Sequence, residues 1–505
     1  MIMRTSKRIL LTLLAALLVA STAVSCNNPG EEETEPVSEI NAAAETEAVL
    51  VETERTLEEQ IAEQYADVDY EGDTFQILST APGGVFYNSL APDANEIWYE
   101  TETGEVYSDA IYHRNSLTEE LLNIRIQPDF SASEFGAVAG IVHNRVLAGD
   151  TEMDAAVASL AYIISMASQG DLTNLFNVNT MELDKPWYDQ NIIRNFGYKG
   201  EKLFSVTGSY NVFDDLSAPM IMYGIKILQD HGLQDPAELV REGKWTIDNM
   251  MIMAETVTAD LNGDGKMTPE NDAFGILDNT DIMVHFMEGA AQPMTRVDEN
   301  SVPYINTQTE KYITVAEFIY NRVITNESVV LGLSGVLKPI FGENRGAFYV
   351  SLMASLGAFR ELEVDFSLLP MPKYNEAEES YVDPINSVWC TSLCIPVSVV
   401  DVERSGVIWN VLSAYSMNSV DKVLNEVLLG SKLIRNEETV EMLDYILNNK
   451  QYCWGNGYSW SADISRVLQN QVNNNTFTVA SGMESIRSLS ESALKSLLEK
   501  LDEQP

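Results

Sequence analysis

The chain has 505 residues, with 76 acidic side chains against 31 lysines and arginines and a formal net charge of −45 at pH 7. Nucleic acids and anionic membrane surfaces attract lysine and arginine, so this balance argues against both as binding partners. It is typical of a soluble exported protein.

The first residues have the order of an export signal. Basic residues at positions 4, 7 and 8 precede an apolar run over residues 9–20, and small residues then lead to Cys26. A transmembrane helix needs about 20 apolar residues, so we predict a cleaved signal peptide over residues 1–25 and not an anchor helix. Ala23-Val24-Ser25-Cys26 resembles the lipobox of bacterial lipoproteins, which makes Cys26 the predicted lipidation site.

An acidic segment follows Cys26. Residues 31–73 contain sixteen Asp or Glu and one basic residue, Arg55. Such a composition cannot bury a core, so residues 26–71 are predicted to form a disordered tether. Leu57, Ile61 and Tyr65 repeat every four residues, which favours a short helix over residues 56–68.

The next residues alternate between strand and helix patterns. In chain order the predicted elements are strand 75–79, helix 107–122, strand 124–126, helix 133–146 and strand 155–158. This alternation predicts an α/β lobe with a mainly parallel sheet. The chain beyond the tether is too long for one core of ordinary size, so we expect two lobes.

A second lobe is predicted to begin near residue 200. Its expected elements are strand 203–206, helix 220–231, helix 247–256 with Thr246 as N-cap, and strands 346–350 and 364–370. A strand over residues 388–399 and a helix over residues 403–417 follow.

The cysteines do not form a disulfide framework. Lipidation of Cys26 leaves three, an odd number. Cys390 and Cys394 lie in the predicted strand 388–399, where four residues span about 13 Å, beyond disulfide reach. The four histidines are scattered, which argues against a zinc site.

Residues 260–272 match the first half of a calcium-binding loop. Oxygen-bearing side chains stand at positions 1, 3 and 5, a glycine at position 6, and a backbone carbonyl at position 7. Position 12 is Asn271, so a closing carboxylate from Asp272 needs a loop one residue longer. The candidate ligands of a structural Ca²⁺ are Asp260, Asn262, Asp264, Lys266 and Asp272. The alternative is an Asx-rich turn that binds nothing.

Several stretches together resemble a known family. DLNGDGKMTPENDAFGI, LVREGKWTIDNMMIMA and YGIKILQDHGL are similar to the second lobe of family 1 extracellular solute-binding proteins of ABC importers. TETGEVYSDAIYHRNSLTEELLNIRI, LDKPWYDQN and FGENRGAFYVSLMASLGAFRELEVDFSLLPMPKY are similar to other parts of that family in the same order. The resemblance covers the chain from about residue 72 onward.

The resemblance implies an α/β, two-lobed periplasmic-binding-protein-like fold of type II, with a hinge between the lobes and a ligand in the cleft. The first lobe would contain residues 72–195 and 376–430, and the second residues 196–375 and 431–500. The protein would be a monomer without a cofactor, lipid-anchored at the extracellular face of the membrane. Its partners would be a carbohydrate ligand and the ABC permease subunits.

Carbohydrate ligands are held by aromatic rings and by carboxylate or amide groups. Trp187, Trp245 and Trp389 lie in apolar patterns and are expected to pack inside the protein. Trp454 precedes Gly455 in a loop and has less reason to be buried. The candidate ligand-binding residues are Trp98, Tyr99, Tyr162, Tyr210, Asp214, Asp215, Tyr349, Trp454, Tyr458 and Trp460. The two aspartates could equally cap the next helix.

Two other functions were weighed against solute binding. A secreted glycan-active hydrolase would use paired carboxylates, but no pair stands out among the 76 acids. The sequence has no GxSxG or HExxH motif for serine or zinc hydrolysis. A passive adhesin would have repeats or all-β modules, and neither is found.

Overall fold

The structure is a computed structural model that describes residues 55–82, 95–359, 362–423, 437–457 and 459–504, without the side chains of residues 456–462. The predicted signal peptide, Cys26 and most of the acidic tether lie outside this range. Within it, no helix combines the length and apolar character needed to cross a membrane.

Helices and strands alternate along most of the described chain. The elements before residue 260 are α1 (Leu57–Gln64), β1 (Asp73–Thr80), α2 (Val106–Leu122), β2 (Ile124–Ala132), α3 (Phe135–Ala148), β3 (Ala155–Ser159), α4 (Leu160–Ser168), α5 (Gln190–Phe196), α6 (Phe213–Leu216), β4 (Pro219–Gly224), α7 (Ile225–Asp230), α8 (Pro236–Arg241) and α9 (Ile247–Val257). The remaining elements are β5 (Phe274–Asp278), α10 (Ile282–Gly289), β6 (Thr295–Val297), β7 (Pro303–Ile305), α11 (Glu310–Ile319), β8 (Val329–Leu331), α12 (Ser334–Gly342), β9 (Gly346–Leu352), β10 (Phe366–Leu369), β11 (Asp383–Pro384), β12 (Thr391–Cys394), α13 (Val402–Asn418), α14 (Glu437–Asn448), β13 (Lys450–Gln451), α15 (Ser459–Asn474) and α16 (Val479–Glu503).

Local signals set several helix ends. Thr56 and Glu59 form a capping box at the start of α1. The predicted N-cap Thr246 accepts a hydrogen bond from Asn249 N at the start of α9. Helix α3 ends at Gly149, whose φ of 67° is a conformation that glycine adopts without a Cβ penalty.

The first lobe contains a four-stranded sheet in the order β12-β3-β1-β2. Strand β1 is parallel to β2 and β3, and β12 is antiparallel to β3. The prediction of an α/β lobe with a mainly parallel sheet is confirmed. Cys390 and Cys394 are buried and unpaired, as expected.

The second lobe contains a five-stranded sheet in the order β10-β4-β9-β5-β8. Strand β5 is parallel to β8 and β9, whereas β4 is antiparallel to both of its neighbours. Trp245 and the apolar face of α9 belong to the core beside this sheet. The chain thus has the expected two-lobed α/β fold.

Within the described residues, two chain segments lead from one lobe into a strand of the other sheet, and each joins the edges where the parallel strands end. The first segment leads from α6 into β4, whose first residue Pro219 pairs with Leu352 at the carboxyl end of β9. The second leads into β12, whose first residue Thr391 pairs with Ser159 at the carboxyl end of β3. In open α/β sheets ligands bind outside the carboxyl ends of the strands, so the cleft between the lobes lies at these edges.

Four local expectations were wrong. The last part of the predicted disordered tether is folded, because Leu57–Gln64 form α1 and Ile61 packs into the core. Of the predicted strand 388–399, only Thr391–Cys394 form a strand, β12. Residues 220–231 form strand β4 followed by helix α7, because an unbroken apolar run does not distinguish a buried strand from a helix. Residues 203–206 do not start the second lobe. Val206 instead forms an isolated bridge with Leu393 of the first sheet, so the chain enters the second sheet at Pro219 and not near residue 196.

Candidate functional site

Three aromatic rings lie at the carboxyl-end edge of the first sheet. Phe135 begins α3 directly after β2, Tyr162 lies in the first turn of α4, and Trp389 precedes β12. The rings of Phe135 and Trp389 meet edge to face with centroids 6.0 Å apart. Ala161 N donates a 2.9 Å hydrogen bond to Ser387 O, which holds the segment of Trp389 beside α4. We call Phe135, Tyr162 and Trp389 the first-lobe aromatic face.

Close packing positions Tyr162 within this face. A Cβ at Gly136 would lie 2.8 Å from Tyr162 Oη, so the phenol packs closely against the first turn of α3. Tyr162 is 39% exposed, and Phe135 and Trp389 are half-buried. Sequence reasoning identified Tyr162 but missed Phe135 and assigned Trp389 to packing. Both residues lie next to a strand of the first sheet, since Phe135 follows β2 and Trp389 precedes β12. This position is the signal that could have identified them.

Three other predicted rings are packed inside the protein in this conformation, and ligand contact by them stays a prediction. The exposed fractions of Tyr210, Tyr349 and Trp454 are 1%, 5% and 4%. Trp454 stacks on Phe196 with centroids 5.3 Å apart, and its Nε1 donates to Asn195 O. The expectation that Trp454 is exposed in its loop was therefore wrong, because a helix 260 residues earlier in the chain covers the ring.

Of the four remaining predicted aromatic residues, two lie in a local turn and the side chains of the other two are not described. Trp98 and Tyr99 flank a turn in which Asn95 N donates a 3.0 Å hydrogen bond to Tyr99 Oη, and Tyr99 is 9% exposed. Tyr458 and the side chain of Trp460 lie outside the described residues. Ligand contact by these four residues stays a prediction.

The predicted aspartates Asp214 and Asp215 share one lysine. Lys450 Nζ lies 2.8 Å from Asp214 Oδ2, 2.6 Å from Asp215 Oδ1 and 2.9 Å from Asp189 Oδ2. Asp189 also caps α5 through Asn191 N and accepts a hydrogen bond from Tyr452 Oη. The side chain of Lys450 is 9% exposed, so this is a buried ion cluster. We call Asp189, Asp214, Asp215 and Lys450 the Lys450 cluster.

Burial and charge act against each other in the Lys450 cluster. Burial raises the pKa of Asp214 to about 7, although Lys450 lowers it. Burial also raises the pKa of Asp189, but the charge of Lys450 outweighs this and leaves the value below its usual range. Burial lowers the pKa of Lys450, yet its acidic neighbours raise it well above the usual range. Lys450 is therefore charged at neutral pH.

A polar pocket of about 290 Å³ opens beside the Lys450 cluster. Besides the cluster it is lined by Asp421 and by the amides Gln190, Asn191, Asn211 and Asn448. Burial raises the pKa of Asp421 well above its usual range. The volume is at the lower limit for a ligand pocket, and the lining offers many acceptors but no exposed aromatic ring. Hydroxyl groups are the chemistry that it suits.

A histidine and a carboxylate lie at the carboxyl-end edge of the second sheet. Asp278 is the last residue of β5, is fully buried, and lies 3.2 Å from Nδ1 of His285 in α10. Burial lowers the pKa of His285, but Asp278 outweighs this and raises it. Beside the pair, Asp281 Oδ1 accepts a 2.6 Å hydrogen bond from Gln469 Nε2. The sequence analysis missed this pair because the four histidines of the protein are scattered along the chain.

The predicted calcium loop forms a network of turns. Asp260 accepts hydrogen bonds from Gly263 N and Gly265 N, and Asp272 accepts from Leu261 N and Thr268 N. In the described residues, no group of three or more His, Cys, Asp or Glu side chains is placed to hold a metal ion. In this arrangement the carboxylates serve backbone amides, so calcium binding stays a prediction from the sequence.

Calcium titration tests that prediction. If the loop binds Ca²⁺, a concentration 100-fold above the Kd should raise the free energy of unfolding by about 2.7 kcal/mol, because the ion binds only the folded state. Differential scanning calorimetry with Ca²⁺ or a chelator measures the shift. Asp264→Ala should abolish it, whereas Asp230→Ala, outside the loop, should keep it. An unchanged melting temperature in the parent protein would leave the Asx-rich turn as the correct interpretation.

The fold is similar to that of solved substrate-binding proteins of ABC transporters. The galacto-N-biose/lacto-N-biose I-binding protein of Bifidobacterium longum, in complex with lacto-N-biose, has a TM-score of 0.55 and 10% identity, covering 85% of this chain and 98% of that chain. The ABC substrate-binding protein of Listeria monocytogenes, in complex with cycloalternan, has a TM-score of 0.52 and 11% identity, covering 85% and 99%. UgpB of Mycobacterium tuberculosis, in complex with glycerophosphocholine, has a TM-score of 0.53 and 13% identity, covering 78% and 95%.

Sequence comparison adds no closer relative. No family model matches the chain, and no curated protein matches it. At these identities the likeness to solved structures establishes the architecture, and the chain has the two-lobed fold of ABC substrate-binding proteins.

Proposed function

We propose that the protein is the substrate-binding component of an ABC importer and captures a sugar or oligosaccharide between its lobes. The observation that carries this proposal is the first-lobe aromatic face, which lies at the carboxyl-end edge of the first sheet. Aromatic faces pack against the C–H surfaces of sugars, and carboxylates or amides accept hydrogen bonds from hydroxyl groups. Asp281, half-buried at the corresponding edge of the second sheet, supplies such an acceptor.

The proposed function is binding and delivery, without a catalytic step. The lobes close on the ligand by hinge motion and present it to the permease subunits. Lacto-N-biose and cycloalternan are the ligands of two of the similar structures, and glycerophosphocholine is that of the third. All three carry hydroxyl groups, which fits an aromatic and acceptor-rich cleft.

We further propose that the monomer is held at the extracellular face of the membrane by lipid on Cys26. The order of basic, apolar and small residues before Cys26 supports this assignment. Two acyl chains anchor a protein firmly, whereas one chain binds only marginally. The acidic tether would then keep the binding lobes close to their permease.

The alternative function is a secreted glycan-active hydrolase. Such an enzyme pairs a protonated carboxyl group with an ionised one, and the pKa shifts of Asp214 and Asp189 do have opposite directions. However, Lys450 Nζ is within 2.9 Å of both carboxylates. An ion pair of this kind neutralises the acids and does not present them to a substrate. Glycan release by the purified protein would nevertheless overturn the transport assignment.

A ligand panel with matched variants tests the proposed function. Neutral mono- and oligosaccharides, glycerophosphocholine, peptides and polyamines are screened by thermal shift, and binders are measured by calorimetry. We expect Tyr162→Ala and Trp389→Ala to weaken sugar binding roughly tenfold or more, since each removes a stacking ring worth about 1.4 kcal/mol.

Tyr304→Ala is the matched control for Tyr162→Ala. Tyr304 is 40% exposed, as Tyr162 is at 39%, but it lies on the β6–β7 hairpin. It should leave sugar affinity unchanged. If peptides or polyamines raise the melting temperature and no sugar does, the carbohydrate assignment fails.

A further inference from the structure

Helix α16 contacts both lobes. It has 25 residues and is therefore about 37 Å long at about 1.5 Å per residue. Its N-terminal half packs against α11 of the second lobe, and its C-terminal half packs against α4 of the first lobe. One rigid helix cannot keep both contacts while the lobes rotate apart, so hinge motion must break one of them.

The second-lobe contact is a firm anchor. Val479 and Met483 are fully buried in the second-lobe core, and Gln308 Nε2 donates a 2.9 Å hydrogen bond to Met483 O. A Cβ at Gly482 would lie 2.6 Å from Val467 Cγ1, so α15 and α16 pack closely. Helix α15 buries Ile464 and Leu468 in the second-lobe core, and the two helices therefore move with that lobe.

The first-lobe contact is made by the last turns of α16. Three leucines of the last turns, Leu494, Leu497 and Leu501, are at most 8% exposed and belong to the cluster that includes α4. Lys202 Nζ donates a 2.8 Å hydrogen bond to Leu501 O and also bonds Gln504 O. A lysine is favourable there because the last carbonyls of a helix carry partial negative charge.

A polar group at the end of α16 extends this contact. Asp502 Oδ1 accepts hydrogen bonds from Tyr198 Oη at 2.9 Å and from Lys199 Nζ at 2.5 Å. Lys199 and Asp502 are 39% and 49% exposed, so their ion pair contributes little beside the leucines. The apolar contact and Lys202 therefore carry most of the attachment.

We propose that the last turns of α16, residues 494–504, form a strap that holds the two lobes together and limits how far they separate. The strap moves with the second lobe, because α16 packs along α15, and its last turns are attached to the first lobe. It touches α4, the helix that carries Tyr162 of the first-lobe aromatic face. Opening of the lobes and access to this face are thereby coupled to the C-terminal helix. Only the effect on ligand affinity rests on the proposed function.

Distance measurements between the lobes test the strap without a ligand. Spin labels are placed at Val106→Cys on α2 and Ile252→Cys on α9, which are 55% and 54% exposed. Cys26→Ser removes the lipidation cysteine, and the other three cysteines are buried. Pulsed electron–electron resonance then gives the distribution of distances between the labels.

Two strap variants and one control are compared. Leu497→Ala with Leu501→Ala removes the apolar contact, and Lys202→Met removes the hydrogen bonds to the helix end. Both should shift and broaden the distance distribution, the first more than the second. Leu489→Ala, at a 59% exposed position of the same helix, should leave it unchanged.

The outcomes separate the strap from the proposed function. An unchanged distribution in the folded double variant overturns the strap. If the double variant does not fold, an unchanged distance distribution in Lys202→Met overturns the strap instead. If the distance distribution shifts and no sugar binds, the strap is supported and only the carbohydrate assignment fails. If a sugar binds, its affinity should differ between Lys202→Met and Leu489→Ala.

Discussion

Lys450→Met is expected to lower the free energy of unfolding by about 3–5 kcal/mol, because removal of one partner leaves buried charges without compensation. Lys450 Nζ is within 2.9 Å of Asp189, Asp214 and Asp215, and no other cation contacts these carboxylates among the ion pairs of the described residues. Methionine keeps the length and the apolar stem of the lysine. Guanidinium unfolding followed by tryptophan fluorescence measures the change.

Lys244→Met is the matched control for this substitution. Lys244 pairs with Glu242, and both side chains are 50% exposed. Exposed ion pairs contribute about 0–1 kcal/mol, so the control should be nearly neutral. Adding Asp214→Asn to Lys450→Met should recover part of the loss, since one uncompensated charge disappears. Equal stability of the two lysine variants would contradict a buried ion cluster.

Glu96→Gln is expected to change how stability depends on pH. Glu96 is 1% exposed, and burial raises its pKa to about 8. Between the unfolded and the folded pKa, the carboxyl group therefore stays protonated in the folded protein, whereas the unfolded chain has already released this proton. Its contribution to stability is fully present below the unfolded pKa and is lost as the pH rises through the folded pKa, by up to about 4 kcal/mol between about pH 5 and about pH 8.

Glu96 Oε1 accepts a hydrogen bond from Phe213 N, and Glu96 Oε2 bonds Thr391 Oγ1. Glutamine keeps one of these acceptors, offers an amide donor in place of the other, and does not ionise. The stability of Glu96→Gln relative to the parent should therefore grow as the pH rises. Denaturant unfolding at several pH values measures this difference. Glu343→Gln, at a glutamate whose side chain is 61% exposed, should follow the parent at every pH. Parallel curves for the parent and Glu96→Gln would contradict a protonated buried Glu96.

Prediction from the sequence succeeded where the signal was local. The elements of the first sheet were placed because short apolar strands alternate with helices that have caps, such as α3 ending at Gly149. It failed over residues 220–231, where a buried strand and a helix have the same apolar composition. It also assigned residues 203–206 to the wrong lobe, because strand pairing with Leu393 leaves no mark in the local pattern.

The candidate site was predicted only in part. Asp214 and Asp215 were identified as polar residues after a strand, but their partner Lys450 lies more than 230 residues away in the chain. Trp454 was expected to be exposed because glycine and asparagine follow it, yet Phe196 and Asn195 cover it. Trp389 was assigned to packing from its apolar neighbours, although its ring is half-buried at the cleft edge.

The sequence by itself determined the α/β class and several helix ends, because these follow from hydrophobic periodicity and from caps within a few residues. It indicated two lobes through the chain length and the family resemblance. The tertiary structure alone decided which rings are buried, which lysine neutralises the aspartates and which lobe each end of α16 contacts. These features depend on residues that are distant in sequence and become neighbours only when the sheets and helices pack.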